Sequence, residues 1–123
     1  MKLEGDLYSI TSINAEHGTV KAELSLHANN RIFEGHFPGL PVLPGVCQMQ
    51  MIKEITEMAI NKKTRMTRAD NMKFLAVINP LEQSVIEVEL TYTTGEPGSI
   101  YVNATMTANK LPSFKFRGLF VEV

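Results

Sequence analysis

Near the middle of the chain lies the one stretch that combines helical periodicity with an absence of proline. After Gly45 no proline occurs until Pro80, and apolar residues recur at intervals of three and four through residues 46–60. The members of this apolar face are Val46, Met49, Ile52, Ile55 and Ala59, widened by Met51, Met58 and Ile60. The pattern predicts one long, mostly buried helix that begins at Pro44 or Gly45 and ends at about residue 62.

Alternation of apolar and polar residues predicts strands on both sides of this helix. The clearest strand spans residues 19–26, after a weaker one at 7–13, and further strands are expected at 73–78, 84–93, 99–109 and 114–123, with a bulge at Gly118. Turn residues at 16–19 and 95–98 join neighbouring strands into hairpins. Since one apolar helix must be covered by such a sheet, we expect an α+β fold. Its curved antiparallel sheet would wrap around the central helix, with residues 1–123 forming a single domain.

Composition excludes several classes of protein. In 123 residues, 12 Lys and Arg nearly balance 13 Asp and Glu, and the net charge of -1 argues against binding nucleic acid through broad phosphate neutralisation. Cys47 is the only cysteine, which rules out an internal disulfide and suits the reducing cytoplasm. No apolar stretch reaches the ~20 residues of a membrane span, and the first residues lack the apolar core of a signal peptide. We therefore expect a cytoplasmic protein with no membrane partner.

Ordinary packing does not explain residues 35–45, where three glycines and three prolines fall within 11 residues. This density prevents regular backbone hydrogen bonding and predicts a rigid loop. Through Val46 the segment reads G-H-F-P-G-L-P-V-L-P-G-V, and it resembles the 3-hydroxyacyl-acyl-carrier-protein dehydratases of the FabZ and FabA group at every fixed position. Similarly, Lys73-Phe74-Leu75 followed by Pro80 resembles that family's K-F strand and its closing proline. The resemblance implies a hot-dog fold, which agrees with the periodicity.

His36 is the residue of this loop with the chemistry for proton transfer. Dehydration of a 3-hydroxyacyl thioester requires a base of near-neutral pKa, which histidine has, and a donor for the carbonyl, which a backbone N–H at a helix start supplies. By resemblance to the family, His36 is the base and the Gly45 amide polarises the carbonyl. The alternative for His36 is a purely structural hydrogen bond within a tight loop. The residues expected to bind substrate include Phe37, Pro38, Gly39 and Val46.

Fourteen positions after His36, where the family has a catalytic Glu or Asp on the helix, this chain has Gln50. An amide can hydrogen-bond the substrate hydroxyl but has no proton to give it. Family members often read E-x-x-x-Q across this turn, whereas Gln50 and Glu54 give Q-x-x-x-E. Residues at i and i+4 share a helix face with β-carbons ~6 Å apart, so Glu54 is a candidate substrate-binding residue or an acid acting through a water. The alternatives are a Gln50 that satisfies a buried backbone group and a Glu54 that faces solvent or an interface.

The resemblance implies an enzyme that converts 3-hydroxyacyl-acyl-carrier-protein thioesters into trans-2-enoyl thioesters, in fatty-acid or related polyketide or lipid synthesis. Its implied partner is an acyl carrier protein bearing a phosphopantetheine-linked acyl chain. The implied assembly is a homodimer or a larger oligomer of dimers, in which His36 of one chain faces the Gln50 helix of the other. No cofactor is implied, and the histidines and carboxylates show no spacing typical of metal ligands. Gln50 leaves two other functions open, a non-catalytic acyl-carrier-binding subunit and an acyl thioesterase.

Residues 62–68 form a basic run directly after the predicted helix. Cations at a helix end complement the negative end of its dipole, so the run suits a solvated helix terminus. Carrier proteins are acidic, and a docking patch for such a partner is the alternative interpretation.

Overall fold

The computed structural model describes residues 2–34 and 41–123. Within these ranges, two strands precede a long helix and four follow it. The strands are β1 (Tyr8–Glu16), β2 (Thr19–Leu26), β3 (Thr64–Phe74), β4 (Val85–Thr94), β5 (Ser99–Ala108) and β6 (Leu111–Glu122), and the helix is α1 (Gly45–Ile60). A short 3-10 turn, Arg31–Phe33, lies between β2 and α1. The helix and the strands expected at 19–26, 84–93 and 99–109 are therefore confirmed.

The six strands form one antiparallel sheet in the order β1-β2-β4-β5-β6-β3. Hairpins join β4, β5 and β6, while β3 lies at the far edge beside β6. The sheet and the helix share a hydrophobic core, to which the central strands contribute alternate residues such as Val88 and Val102. From the helix, Met51, Ile52 and Ile55 are fully buried in that core. The expected α+β arrangement, with one helix covered by an antiparallel sheet, is confirmed.

The two ends of α1 differ in how they are terminated. Pro44 precedes the helix in an extended conformation, with φ −62° and ψ 147°. At the other end Asn61 adopts the left-handed conformation, with φ 56°, and its N–H donates to the Glu57 carbonyl, an arrangement typical of a helix stop. The helix has 16 residues, and no helix within the described ranges is long and apolar enough to cross a lipid bilayer.

Positive backbone angles at His17 and Gly18 close the β1–β2 hairpin. The angle φ is 51° at His17 and 79° at Gly18, as in the left-handed pair of a two-residue hairpin turn. A β-carbon at position 18 would lie 2.9 Å from the carbonyl oxygen of Tyr92 in β4. The turn expected at residues 16–19 is confirmed, and both conformation and contact favour glycine there.

Two expectations about the chain after the helix are wrong. Residues 62–68 do not end the helix, because α1 stops at Ile60 and β3 begins at Thr64. The strand expected at 73–78 is displaced, since β3 ends at Phe74 and the chain then leaves the sheet. β3 is an edge strand that is exposed on both faces along most of its length. An edge strand of this kind needs no alternation of apolar residues, so its sequence carries no strand signal.

Gly118 marks a close approach between strands and not the bulge expected in β6. Pairing between β5 and β6 runs without a break through Gly118. The register shifts between β3 and β6 fall in β3, at Thr67 and Asp70, on either side of the pair formed by Ala69 and Gly118, and the irregularity in β6 itself lies at Ser113. A β-carbon at position 118 would lie 2.5 Å from the Arg68 carbonyl oxygen. The glycine is therefore required by the neighbouring strand.

Glu57 in the last turn of α1 connects the helix to the start of β3. Its Oε2 accepts hydrogen bonds from the Thr64 backbone N–H at 2.6 Å, the Thr64 hydroxyl at 3.1 Å and the Lys53 ammonium at 3.1 Å. Burial raises the pKa of the Glu57 carboxyl, but the bonds from Thr64 and Lys53 outweigh burial and hold that pKa below its usual range. The folded state therefore favours the ionised carboxylate.

We expect Glu57→Gln to lower the free energy of unfolding near neutral pH by about 1–3 kcal/mol, because hydrogen bonds to a charged acceptor are stronger than those to an amide. Since the folded-state pKa is depressed, this contribution is present above the unfolded pKa of about 4.3 and is lost as the pH falls through the folded pKa. Urea unfolding near pH 7 and at about pH 3 measures the difference from wild type, which should shrink at the lower pH.

Glu96→Gln is the control for this measurement, since Glu96 is exposed in the turn between β4 and β5. It should leave the free energy of unfolding nearly unchanged. If Glu57→Gln destabilised the protein equally at both pH values, the role of the ionised carboxylate would be contradicted.

Candidate functional site

The backbone N–H groups at the start of α1 lie beside an aromatic pair formed by Phe74 and Phe114. The first N–H groups of a helix have no intrahelical acceptor and lie at the positive end of its dipole. At Gly45, a β-carbon would lie 2.7 Å from Cζ of Phe74, whose ring stacks on Phe114 with 4.6 Å between centroids. Glycine here lets the aromatic pair pack against the helix start. The arrangement suits the binding of a carbonyl oxygen on which negative charge develops.

Gln48 hydrogen-bonds to the segment that precedes α1. Its Nε2 donates to the Leu43 carbonyl at 3.2 Å, and the Leu43 N–H donates to the Ile78 carbonyl at 2.9 Å. Gln48 is 3% exposed, and its Oε1 has no hydrogen-bond partner among the described residues. Sequence reasoning missed this residue because one glutamine on an apolar helix face forms no motif. The entry to the helix is thus tied to the chain that follows β3.

Gln50 and Glu54 lie one helical turn apart and contact each other. The Gln50 Nε2 donates to Glu54 Oε2 at 2.9 Å, and Gln50 is half-buried. The structure thus brings together the two residues of the Q-x-x-x-E pattern. The amide and the carboxylate form one polar unit on the helix.

Glu54 is 6% exposed and receives three further hydrogen bonds. The Leu3 N–H donates to Oε2 at 2.7 Å, while the Glu4 N–H and the Tyr8 hydroxyl donate to Oε1 at 2.9 Å and 2.8 Å. The alternative in which Glu54 faces solvent is therefore wrong, because donors from the first residues of the chain satisfy the buried carboxylate. Sequence reasoning missed these partners, since backbone N–H groups 50 and 51 positions away carry no signal.

Tyr8 is fully buried and keeps its proton. Burial raises the pKa of the Tyr8 phenol, and the hydrogen bond to Glu54 raises it further. The hydroxyl is therefore a donor to Glu54 throughout the physiological pH range. Burial likewise raises the pKa of the Cys47 thiol, so this cysteine is poorly suited to act as a nucleophile.

Gln50 and Glu54 belong to the wall of an open groove of ≈ 870 Å³. Other parts of the wall come from the N-terminal segment, the last turns of α1 and the start of β3. The lysines among them are Lys2, Lys53, Lys62 and Lys63. Of these, Lys53 pairs with Glu57 at 3.1 Å and Lys62 pairs with Glu122 at 2.9 Å. The groove gives a ligand access to the Gln50 side of the helix.

The structure describes some of the predicted site residues, and others lie outside the described ranges. Gly45 and Val46 occupy the first two positions of α1, and Val46 is 68% exposed. Gln50 follows Gly45 by about 7.5 Å along the helix axis, at 1.5 Å per residue. The residues that lie outside the described part of the chain, and whose roles stay predictions, are His36, Phe37, Pro38 and Gly39.

The chain matches the model of the ApeI-like dehydratases, described as ApeI dehydratase, over residues 12–117. It therefore belongs to the ApeI-like dehydratase family. Curated relatives are 3-hydroxyacyl-acyl-carrier-protein dehydratases FabZ. The one from Bacillus cereus is 33% identical over 86 residues, covering 64% of this chain and 60% of that protein. The one from Clostridium acetobutylicum is 29% identical over 89 residues, covering 67% and 63%. These matches span less than two thirds of the length of either relative.

Solved structures with this fold include the dehydratase heterocomplex ApeI:P from Xenorhabdus doucetiae. It aligns with a TM-score of 0.78 over 93% of this chain and 97% of that chain, at 14% identity. A sigma28-regulated virulence protein from Campylobacter jejuni aligns with a TM-score of 0.72 over 100% of this chain and 88% of that chain, at 12% identity. At such identities the likeness concerns the fold alone, and it confirms the hot-dog fold. The resemblance to the FabZ group is likewise confirmed by the family match and the curated relatives.

Proposed function

We propose that this chain is a dehydratase that converts 3-hydroxyacyl-acyl-carrier-protein thioesters into trans-2-enoyl thioesters, in fatty-acid or related lipid or polyketide synthesis. The observation that carries the proposal is the position of Gln50, beside an open groove and little more than one turn from the N–H groups that begin α1. Membership of the ApeI-like dehydratase family supports the reaction class, and the FabZ relatives support an acyl carrier protein as partner. In the sequence, His36 precedes this helix start within the G-H-F-P-G loop.

In the proposed reaction His36 moves one proton. Neutral His36 removes a proton from the carbon next to the thioester carbonyl, and the Gly45 N–H stabilises the charge that develops on the carbonyl oxygen. The electron pair then forms the carbon–carbon double bond, and the bond to the hydroxyl oxygen breaks. The imidazolium returns its proton to that oxygen, which leaves as water. Gln50 orients the hydroxyl, because an amide has no proton to supply.

Substitution of His36 by alanine should lower dehydration and hydration of acyl-carrier-protein substrates by a factor of about 10² or more, since it removes the base. The assay incubates purified protein with 3-hydroxyacyl and enoyl carrier-protein substrates and identifies the products by mass. His17→Asn is the matched control, because His17 is exposed in the first hairpin turn and asparagine tolerates its positive φ. Wild-type turnover by His36→Ala would remove His36 from the mechanism.

A variant in which the glutamine and the glutamate at positions 50 and 54 are swapped should have a proton donor at position 50, where the wild type has none. In Gln50→Glu alone, two carboxylates would meet where Nε2 now lies 2.9 Å from Oε2, and each would raise the pKa of the other. In the double variant Gln50→Glu/Glu54→Gln the amide–carboxylate contact is kept in E-x-x-x-Q order, but the Leu3 N–H then faces an amide nitrogen and loses its acceptor. We expect its dehydration rate to exceed that of wild type by about tenfold.

The single and double variants are compared with wild type in the same mass assay, after circular dichroism has shown that each is folded. The double variant should be the fastest of the three proteins. A folded double variant that is no faster than wild type would contradict a contact between position 50 and the substrate hydroxyl.

We further propose a homodimer in which His36 of one protomer faces the α1 helix of its partner. β3 is an edge strand of 11 residues, and its outer edge pairs with no other strand of the described chain. Such an edge readily pairs with a strand of another molecule. The end of β3 and the chain that follows it expose Phe74, Leu75 and Val77, an apolar run of the kind found at interfaces between proteins.

Sedimentation equilibrium at micromolar concentration should therefore find a dimer. Leu75→Lys/Val77→Lys should shift the protein towards monomer and lower its activity, because lysines are poorly tolerated at a buried interface. Ile13→Lys on β1, at the opposite edge of the sheet, replaces a similarly exposed apolar residue and should do neither. A stable wild-type monomer, or a monomeric variant with full activity, would contradict a shared site.

Gln50 favours one second candidate function, a non-catalytic acyl-carrier-binding subunit. The amide has no proton to donate, and the Glu54 carboxylate beside it already accepts four hydrogen bonds. Carrier protein that binds to the wild type without any turnover, together with an inactive double variant, would select this second function.

A further inference from the structure

The side of the sheet that points away from α1 has a polar surface on which charge is separated by strand. Alternate residues of β4, β5 and β6 are buried against the helix, so the residues between them point outward. The outward residues of these three central strands form what is called here the outer face. They are Glu87, Glu89, Thr91 and Thr93 of β4, Tyr101, Asn103, Thr105 and Thr107 of β5, and Lys115, Arg117 and Leu119 of β6.

The strand register places acidic and basic side chains of the outer face on opposite sides of β5. Thr105 pairs with Glu89 of β4 on one side and with Lys115 of β6 on the other. Lys21 of β2 also lies opposite Glu89 in the register. Even so, no ion pair in the described ranges involves Glu87, Glu89 or Lys115. The outer face therefore has an acidic half on β4 and a basic half on β6.

Two pairs of like charges face each other across neighbouring strands on this side of the sheet. Glu23 of β2 pairs in register with Glu87 of β4, and Lys73 of β3 pairs with Lys115 of β6. Like charges in directly opposite positions destabilise a sheet. Contact with a surface of opposite charge would offset both repulsions. The outer face thus favours a partner that carries acidic and basic groups side by side.

A second copy of this chain carries such an arrangement. When two outer faces meet across a two-fold axis parallel to β5, the β4 half of one chain lies over the β6 half of the other. Glu89 then meets Lys115 of the partner subunit, and the same contact occurs a second time because a two-fold interface is self-complementary. An axis in the contact plane perpendicular to the strands would instead place acidic groups over acidic groups. Charge complementarity therefore selects one relative orientation of the two chains.

Tyr101 supplies an apolar group at the centre of this contact. It lies on β5, the strand at the axis, and it is 43% exposed. Leu119, its register partner in β6, is half-buried beside it. Tyrosine is enriched at interfaces between proteins because its ring is apolar and its hydroxyl can still form hydrogen bonds. Contact between two outer faces would bring the two Tyr101 rings together near the axis.

We propose that the outer face binds the outer face of a second copy, with β5 at the two-fold axis and Glu89 opposite Lys115 of the partner subunit. This contact is independent of the proposed reaction and separate from the contact proposed at the β3 edge. The sheet curves around α1, so two outer faces touch along their central strands and diverge towards Lys21 and Lys73 at the margins. A patch of roughly 20 Å by 15 Å is smaller than the ~800 Å² per partner of a stable interface, so the association is weak.

Sedimentation velocity of the full chain, at concentrations up to hundreds of micromolar, measures this association. In about 50 mM salt the mass of the wild-type species should double as the concentration rises, whether the starting species is one chain or an edge-paired dimer. About 500 mM salt should weaken this doubling step by about tenfold or more, because salt screens exposed charges.

Charge reversal in either half of the outer face should abolish the doubling step. In the basic variant, Glu87→Lys/Glu89→Lys, lysines would meet the basic half of the partner subunit. In the acidic variant, Lys115→Glu/Arg117→Glu, glutamates would meet its acidic half. All four side chains are exposed, so urea unfolding should find both variants about as stable as wild type.

A mixture of the two variants tests the complementarity directly. The basic face of one variant then meets the acidic face of the other in both halves of the contact, so the mixture should associate although neither variant self-associates. The matched control is Glu16→Lys/Glu82→Lys, which changes the net charge as the basic variant does, at exposed residues outside the central strands. This control should keep the doubling step of the wild type, because its outer face is unchanged.

Loss of the doubling step in each variant, together with association in their mixture, supports the inference. A wild type whose mass does not rise with concentration would overturn it, since the outer face would then only contact solvent. Doubling that persists in either charge-reversed variant, or a mixture that does not associate, would also overturn it, because another surface would then form the contact. Turnover of acyl-carrier substrates enters none of these outcomes, so the proposed function is tested separately.

Discussion

Burial of one helix by one sheet is the constraint on which the rest of this structure depends. Met51, Ile52 and Ile55 are fully buried, and each such side chain contributes on the order of 2 kcal/mol through loss of contact with water. The sheet must therefore supply a matching apolar face, which explains the alternation in its central strands. The same packing holds the first turns of α1 in place, which fixes the separation of Gly45 and Gln50 that the proposed function requires.

Polar side chains on a buried helix need hydrogen-bond partners, and Glu54 and Gln48 differ in how many they have. Glu54 would be strongly destabilising in the core without compensation, yet it receives two backbone N–H groups, a phenol and an amide. Gln48 is as deeply buried, and one of its two polar atoms has no partner among the described residues. The contrast indicates that the N-terminal segment is part of the core, because it satisfies the carboxylate that the helix carries inward.

Local periodicity predicted the elements that face the core and failed for those that do not. The helix and the strands β2, β4 and β5 alternate or repeat because one of their faces is buried. The strand β3 is exposed on both faces, so no pattern marked it, and its basic residues suggested a helix end instead. The sequence also did not predict the partners of Glu54, since contacts between a side chain and distant backbone N–H groups have no signature in composition or spacing. The Q-x-x-x-E pair was predicted from its spacing, because residues four apart on a helix meet wherever the helix forms.

The order of that pair bears directly on the chemistry of the site. An amide and a carboxylate one turn apart form the same contact with each other in either order, but only a carboxylate at position 54 offers two acceptor oxygens to the donors from Leu3, Glu4 and Tyr8. In the order found here, the carboxylate of Glu54 accepts hydrogen bonds from the backbone N–H groups of residues 3 and 4. The amide of Gln50, which donates to that carboxylate, lies one turn nearer the helix start. Under the proposed function, the group beside the substrate hydroxyl is then one that orients it without exchanging a proton. The proposed reaction must therefore take its proton from elsewhere, and histidine is the residue type of the loop motif whose side chain can exchange a proton near neutral pH.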